Sequence, residues 1–178
     1  GEVRRPGAAV AGAFLLLTGC VYYNALYNAE RLFEEGERHR RAGRDSLAAA
    51  CYAQVIQKAA GGYRREPEGE WADDALLLMG RAYLRRGEFR EARSSLEKAA
   101  ERAGSETVQL QALLHLGEAN VIAGDRVQGT NLLNLALGGL PSGQLTAEGH
   151  MWRAEALLEA GEADVGWRDL DQAAPDAR

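Results

Sequence analysis

Apolar positions between Leu76 and Ala99 trace one helical face twice. Leu76, Met79, Gly80 and Tyr83 fall at i, i+3, i+4 and i+7, and after a break at Gly87 the stripe resumes at Phe89, Ala92, Leu96 and Ala99. Each set predicts an amphipathic helix. The Gly87-Glu88 pair between them allows only a tight turn, so the second helix must fold back antiparallel on the first. Gly80 and Ala92 lie on the facing stripes, where missing bulk lets the backbones approach and leaves space for Tyr83 or Leu96. Glycine inside a helix costs about 1 kcal/mol relative to alanine, so close approach rather than propensity accounts for Gly80.

The same register recurs along the chain. Candidate interhelix glycines stand at Gly43, Gly87, Gly124 and Gly161, at intervals of 44, 37 and 37 residues. Seven residues ahead of each comes Gly36, Gly80, Gly117 or Ala154, and five residues behind comes Ala48, Ala92, Gly129 or Gly166. Tyr52, Leu96, Leu133 and Leu170 follow, then Val55, Ala99, Ala136 and Ala173. The fourth copy departs most, with Arg153 at an expected apolar site. A hairpin with two apolar stripes cannot bury both by itself, so stacking must supply the core. The pattern predicts an all-α superhelix of about four helical hairpins over residues 29–178. Asp45, Ser105 and Asp125 are expected N-caps, Gly61-Gly62 and Gly138-Gly139 expected stops, and Pro141 and Pro175 are expected just beyond second helices. Gly61 to Glu70, with Pro67, reads as a charged connecting loop.

The series Leu76, Met79, Gly80, Tyr83, Gly87, Ala92, Leu96, Ala99 resembles the tetratricopeptide repeat, with leucine at the usual tryptophan-like position and Gly104 in place of the closing proline. The resemblance makes Gly36, Gly80, Tyr83, Ala92, Gly117 and Gly129 repeat-packing positions. It also implies a concave surface lined by first helices. Carried over by position, the lining is Glu30, Phe33, Glu37 and Arg40, then Asp74, Leu77, Arg81 and Leu84, then Gln111, Leu114, Glu118 and Val121, then Glu148, Met151, Glu155 and Leu158. Apolar anchors mixed with charges suit an extended or helical peptide. Arg81 and Arg85 are the expected contacts for an acidic partner.

Residues 1–19 carry Arg4 and Arg5, an apolar run from about Ala8 to Leu17, and small residues before Cys20. The run is shorter than a bilayer span of about 20 residues but suits the apolar core of a secretory signal. Leu17-Thr18-Gly19-Cys20 resembles the bacterial lipoprotein signal, which implies cleavage ahead of Cys20 and lipidation of its thiol. Residues 20–28 are then the lipidated cysteine and tether, and Val21 implies sorting to the outer membrane at its periplasmic face. Tyr22, Tyr23 and Tyr27 around Leu26 either anchor the first helix against the next hairpin or lie at the lipid headgroup level, and the continuation of Tyr27 into the stripe Leu32, Phe33, Gly36 favours packing. The layout resembles BamD-type outer-membrane assembly lipoproteins, with four hairpins where five are usual, and implies partners among envelope proteins or peptides.

Composition narrows the chemistry. Apolar residues make up 46% and aromatics 7%, and the net charge of −5 gives no support for nucleic-acid binding. His39, His115 and His150 fall in different repeats, without the spacing of a zinc site, and His115 reads as a polar lining residue. Cys51, among alanines, reads as a small buried thiol. Glu34-Glu35 and Asp73-Asp74 are adjacent helical carboxylates pointing about 100° apart, so neither pair converges as acid and base. These readings favour a binding scaffold with no cofactor over an enzyme. An alternative is an accessory lipoprotein that binds a solute or glycan; it predicts stacked aromatics, and Trp71, Trp152 and Trp167 are dispersed in register.

Overall fold

The computed structural model describes the backbone of residues 7–176 and the side chains of residues 24–174. The signal-peptide and Cys20 assignments lie outside the residues whose side chains are described, as do Tyr22 and Tyr23. Eight helices follow in order among the described residues: α1 (Gly7–Arg41), α2 (Asp45–Arg65), α3 (Ala72–Arg85), α4 (Phe89–Arg102), α5 (Glu106–Ile122), α6 (Arg126–Gly139), α7 (Gln144–Glu159) and α8 (Ala163–Asp176). None of the described helices is long and apolar enough to cross a membrane.

One turn is used four times. Gly43, Gly87, Gly124 and Gly161 have φ of 67°, 73°, 85° and 84°, the left-handed region that glycine enters without penalty. After Gly87 the Glu88 N–H reaches back to the Tyr83 carbonyl at 3.0 Å, while Gly87 N–H donates to the Leu84 carbonyl at 2.9 Å. The same two bonds recur at Arg44 and Gly43, at Asp125 and Gly124, and at Glu162 and Gly161. This is the Schellman closure, which satisfies the last carbonyls of a helix and reverses the chain within three residues.

Small residues sit where paired helices cross. A Cβ added to Gly36 would lie 2.7 Å from Tyr52, one at Gly80 2.5 Å from Leu96, and one at Gly117 2.7 Å from Leu133. Thus Leu96, not the half-buried Tyr83, fills the space beside Gly80. In the fourth hairpin the roles reverse: a Cβ on Gly166 of α8 would meet Leu158 of α7 at 2.8 Å. Arg153 there forms a two-pronged ion pair with buried Asp169, Nε to Oδ2 at 2.5 Å and a second nitrogen to Oδ1 at 2.6 Å, so a polar pair takes an apolar site.

Three core clusters fill successive joints between hairpins. Leu26, Phe33, Tyr52, Val55 and Leu78 join α1, α2 and α3; Leu76, Leu84, Leu96 and Leu116 join α3, α4 and α5; Leu114, Val121, Leu133 and Ala156 join α5, α6 and α7. At about 1.5–3 kcal/mol per buried large side chain, each joint contributes several kcal/mol. Leu26 is buried, so packing reaches into the stretch read as tether.

Several expected boundaries shift. Helix α2 runs through Gly61-Gly62 to Arg65, because Gly62 is buried and Tyr63 packs against two of the core clusters; the loop is confined to residues 66–71. Arg44 rather than Asp45 holds the N-cap position of α2, without a side-chain bond, and Asp45 starts the helix. Ser105 and Asp125 do cap, accepting from Val108 N–H at 3.2 Å and Gln128 N–H at 3.3 Å. Pro175 falls in the last turn of α8 rather than beyond it.

Candidate functional site

Beyond the contacts inside each hairpin and between neighbouring hairpins, α1 touches α3, α3 touches α5 and α5 touches α7. First helices therefore form one continuous inner face. Arg85, in the last turn of α3, reaches into the middle of it. Its Nε donates to Glu37 Oε1 of α1 at 3.0 Å, one terminal nitrogen to Glu118 Oε1 of α5 at 3.0 Å, and the other approaches Glu148 Oε2 of α7 at 3.5 Å. One guanidinium thus joins all four first helices.

Two of the carboxylates around it, Glu37 and Glu118, are held below the usual carboxylate range. Burial alone would raise the Glu37 carboxyl, but hydrogen bonds from Arg40 and Tyr52 and the charge of Arg85 outweigh it and hold it at about 2. Tyr52 Oη donates to Glu37 Oε1 at 2.6 Å and Arg40 to Oε2 at 2.8 Å. Glu118 is 3% exposed, yet its carboxyl lies below the usual value, because the bond with His115 and the charge of Arg85 overcome burial. Burial pushes His115 down, so its neutral ring carries a proton on Nδ1 and donates to Glu118 Oε2 at 3.0 Å. His115 is a buried member of this network, not the open lining residue expected.

Two adjoining cavities open on the inner face. One, of ≈ 740 Å³, has Ala147, Met151, Trp152, Leu158 and Leu170 as an apolar wall and Arg40, Arg85, Glu118, Glu148, Glu155 and Glu159 as its charged lining. The other, of ≈ 460 Å³, is bounded by Phe33, Gln111, His115 and Leu145 with Arg38, Arg41, Arg81, Glu34 and Glu37. Gln144, Arg85 and Glu148 belong to both. Arg81 lies 4.4 Å from the Phe33 ring centre, and its Nε is buried without a hydrogen-bond partner. Met151 is 52% exposed.

Of the residues expected to meet a partner, Arg40, Arg81, Arg85, Gln111, Glu118, Met151 and Phe33 border these cavities, the last as a buried floor. Leu77, Leu84, Leu114 and Val121 do not. Leu77 and Leu84 belong to the cluster joining α3 to α5, and Leu114 and Val121 to that joining α5 to α7. The reason is the close packing of successive first helices, which covers side chains that a more open superhelix would show; a Cβ on Gly149 of α7 would come within 3.0 Å of Leu114. Arg85 is likewise engaged by three carboxylates and is not free for an acidic partner. Gln144 and Leu170 lie outside the repeat's lining pattern because one is at a helix start and the other on a second helix, and Trp152 stands one residue beyond the lining position Met151. The three tryptophans stay apart: Trp71 packs on the first core cluster, Trp152 lines the groove, and Trp167 on α8 is exposed.

The adjacent carboxylates serve structure. Asp73 is buried and accepts the Gly104 N–H at 2.8 Å, tying the start of α3 to the turn before α5. Asp74 is raised to about 6 by burial and by the nearby charges of Asp73 and Glu30. A folded value of about 6 above an ordinary 3.8 means that the fold disfavours the ionised form. The penalty is absent below about pH 4, grows as pH rises towards 6, and is constant above. Asp74→Asn should therefore stabilise the protein by about 1–2 kcal/mol at pH 7.5 and by nothing below pH 4. Urea midpoints at the two pH values check this, and an equal effect at both would refute it.

Four antiparallel hairpins closed by Schellman turns, with small residues at the crossings and a groove along the first helices, make this a superhelix of tetratricopeptide-like hairpins. No protein-family model matches the sequence, and no curated protein does. Solved structures of MamA share the fold. MamA of AMB-1 superposes with TM-score 0.53 at 15% identity over 84% of this chain and 91% of that one. MamA of MSR-1 gives 0.52 at 17% identity over 83% and 95%, and a further MamA crystal structure gives 0.51 at 16% over 87% and 84%. Likeness at this identity establishes the arrangement of hairpins.

Proposed function

We propose that this protein is a non-enzymatic scaffold whose inner groove holds an extended or helical segment of another protein. The observation that carries the reading is the ≈ 740 Å³ groove, in which an apolar wall stands beside fixed charges. Glu118, Glu148, Glu155 and Glu159 outnumber Arg40 and Arg85 there, which favours a segment with a basic residue next to its apolar anchor. The lipoprotein-like box ending at Cys20 supports anchoring at the periplasmic face of a bacterial outer membrane, with envelope proteins as partners and outer-membrane protein assembly as the narrower role. The solute- or glycan-binding alternative has one groove tryptophan in its favour where it needs a stacked set.

A photo-crosslinking residue at position 151, compared in the native envelope with one at exposed Val127 on α6, tests the groove. Adducts are expected at the first position only, and Met151→Asp should suppress recovery of the same partner at least about tenfold while helicity is unchanged. Equal labelling at both positions would sink the groove as the site. Recovery of a β-barrel protein would support the assembly role. Cys20→Ser should move the protein from the membrane to the soluble fraction and abolish incorporation of labelled palmitate, and membrane retention in that variant would overturn the anchor.

A further inference from the structure

Glu35 and His39 stand one turn apart on α1, on the side away from Glu37 and Arg40, with Glu35 Oε1 3.7 Å from His39 Nε2. The turn at Gly43 folds α2 back and brings Cys51 beside them. A carboxylate oxygen of Glu35, a ring nitrogen of His39 and Cys51 Sγ all lie within 4.8 Å of one another. Sequence alone separates these residues, because the cysteine arrives from the neighbouring helix. Two further facts bear on the cluster. His39 turns Nε2 towards Glu35, while its Nδ1 is buried without a hydrogen-bond partner. Cys51 is a buried free thiol.

We infer that Glu35, His39 and Cys51 form a three-ligand site for a zinc-class divalent transition metal. Around tetrahedral zinc, with bonds of about 2.0–2.3 Å, neighbouring ligand atoms stand about 3.3–3.8 Å apart. Glu35 and His39 already have that spacing, and the remaining gaps close by about 1 Å of side-chain movement. One thiolate, one imidazole and one carboxylate are the donor set of zinc or cobalt, whereas magnesium and calcium require oxygen ligands throughout. Charge balances as well: thiolate and carboxylate together neutralise a divalent ion. Glu35 is exposed, which gives the ion a way in and leaves a fourth position to water. On binding, the Cys51 S–H bond is exchanged for a metal–sulfur bond and the proton passes to buffer; nothing is oxidised or reduced. Once loaded, the ion pins α1 to α2 on the face opposite the groove.

Titration of the metal-free full chain with cobalt(II) tests this directly. A sulfur-to-cobalt charge-transfer band should appear, saturate at one equivalent and be displaced by zinc. Cys51→Ser should abolish the band while circular dichroism keeps the helical spectrum, and Cys20→Ser should leave it intact. Because Glu35 is exposed, Glu35→Gln preserves folding and should weaken cobalt binding at least about tenfold. The absence of a band from folded protein, a band that survives Cys51→Ser, or one that vanishes with Cys20→Ser would each overturn the assignment.

Discussion

Replacing Arg85 with methionine is expected to destabilise the protein by about 3 kcal/mol at pH 7.5, a loss of about 6–12 °C in thermal midpoint for a chain of this size. The hydrophobic substitute fills much of the volume, so packing is not the main loss. What remains is Glu118, with its side chain 3% exposed, facing only a neutral His115, with Glu37 and Glu148 close by. A buried carboxylate without its cation either pays for desolvation or takes up a proton. Relative to wild type, the variant should therefore recover part of its loss as pH falls from 7.5 towards 5. In wild type the Glu37 carboxyl sits at about 2 against an ordinary 4.5, so its contribution is complete above about 4.5 and lost as pH falls towards 2. Adding Glu118→Gln to Arg85→Met removes the unpaired charge and should restore about half of the loss. If the two substitutions simply add in urea denaturation, Arg85 is not the counter-ion of Glu118.

The Arg85 network also shows how far sequence reasoning reaches. Hairpins, their order and their turns follow from local rules: glycine at a left-handed position, a small residue seven before it, another five after. Those rules concern residues within one hairpin, where spacing along the chain fixes spacing in space. The small positions Gly36, Gly80 and Gly117 are legible for that reason, while the side chains that fill the space beside them, Tyr52, Leu96 and Leu133, are settled by the packing. How tightly one first helix lies on the next is set between hairpins, and no short spacing encodes it. Hence Leu77, Leu84, Leu114 and Val121, placed on an open face by position in the repeat, are buried in the joints. Arg85 was picked out as a charge on the inner face; its three carboxylates come from residues 48, 33 and 63 positions away. The Glu35, His39 and Cys51 cluster is hidden in the same way. Gly61-Gly62 misled for another reason, since glycine's intrinsic cost in a helix is about 1 kcal/mol and burial of Gly62 with the packing of Tyr63 outweighs it.

Gly80→Leu is expected to cost about 3 kcal/mol or more, while Gly124→Ala costs only about 1–2 kcal/mol, because the two glycines are required for different reasons. At Gly124 the backbone has φ of 85° and an added Cβ meets nothing within 4 Å, so the penalty is the strain of a left-handed alanine. At Gly80 the backbone is ordinary helix, and alanine there would gain about 1 kcal/mol in propensity. Space is what is missing: a Cβ would stand 2.5 Å from Leu96 Cγ, and Leu96 is fully buried with Ala92 and Ala99 at the centre of its joint. Leucine cannot rotate away from a contact made at its own Cβ, so α3 and α4 must separate, and the joint to α5 opens with them. The coupling is testable without a fully disrupted protein. Leu96→Ala alone should cost about 2–5 kcal/mol as a cavity, but in that background Gly80→Ala should become neutral or stabilising, since its methyl group enters the space vacated. Urea denaturation of the four proteins measures the interaction. An unchanged thermal midpoint in Gly80→Leu, or Gly80→Ala costing the same with and without Leu96, would mean that the two helices do not cross at Gly80.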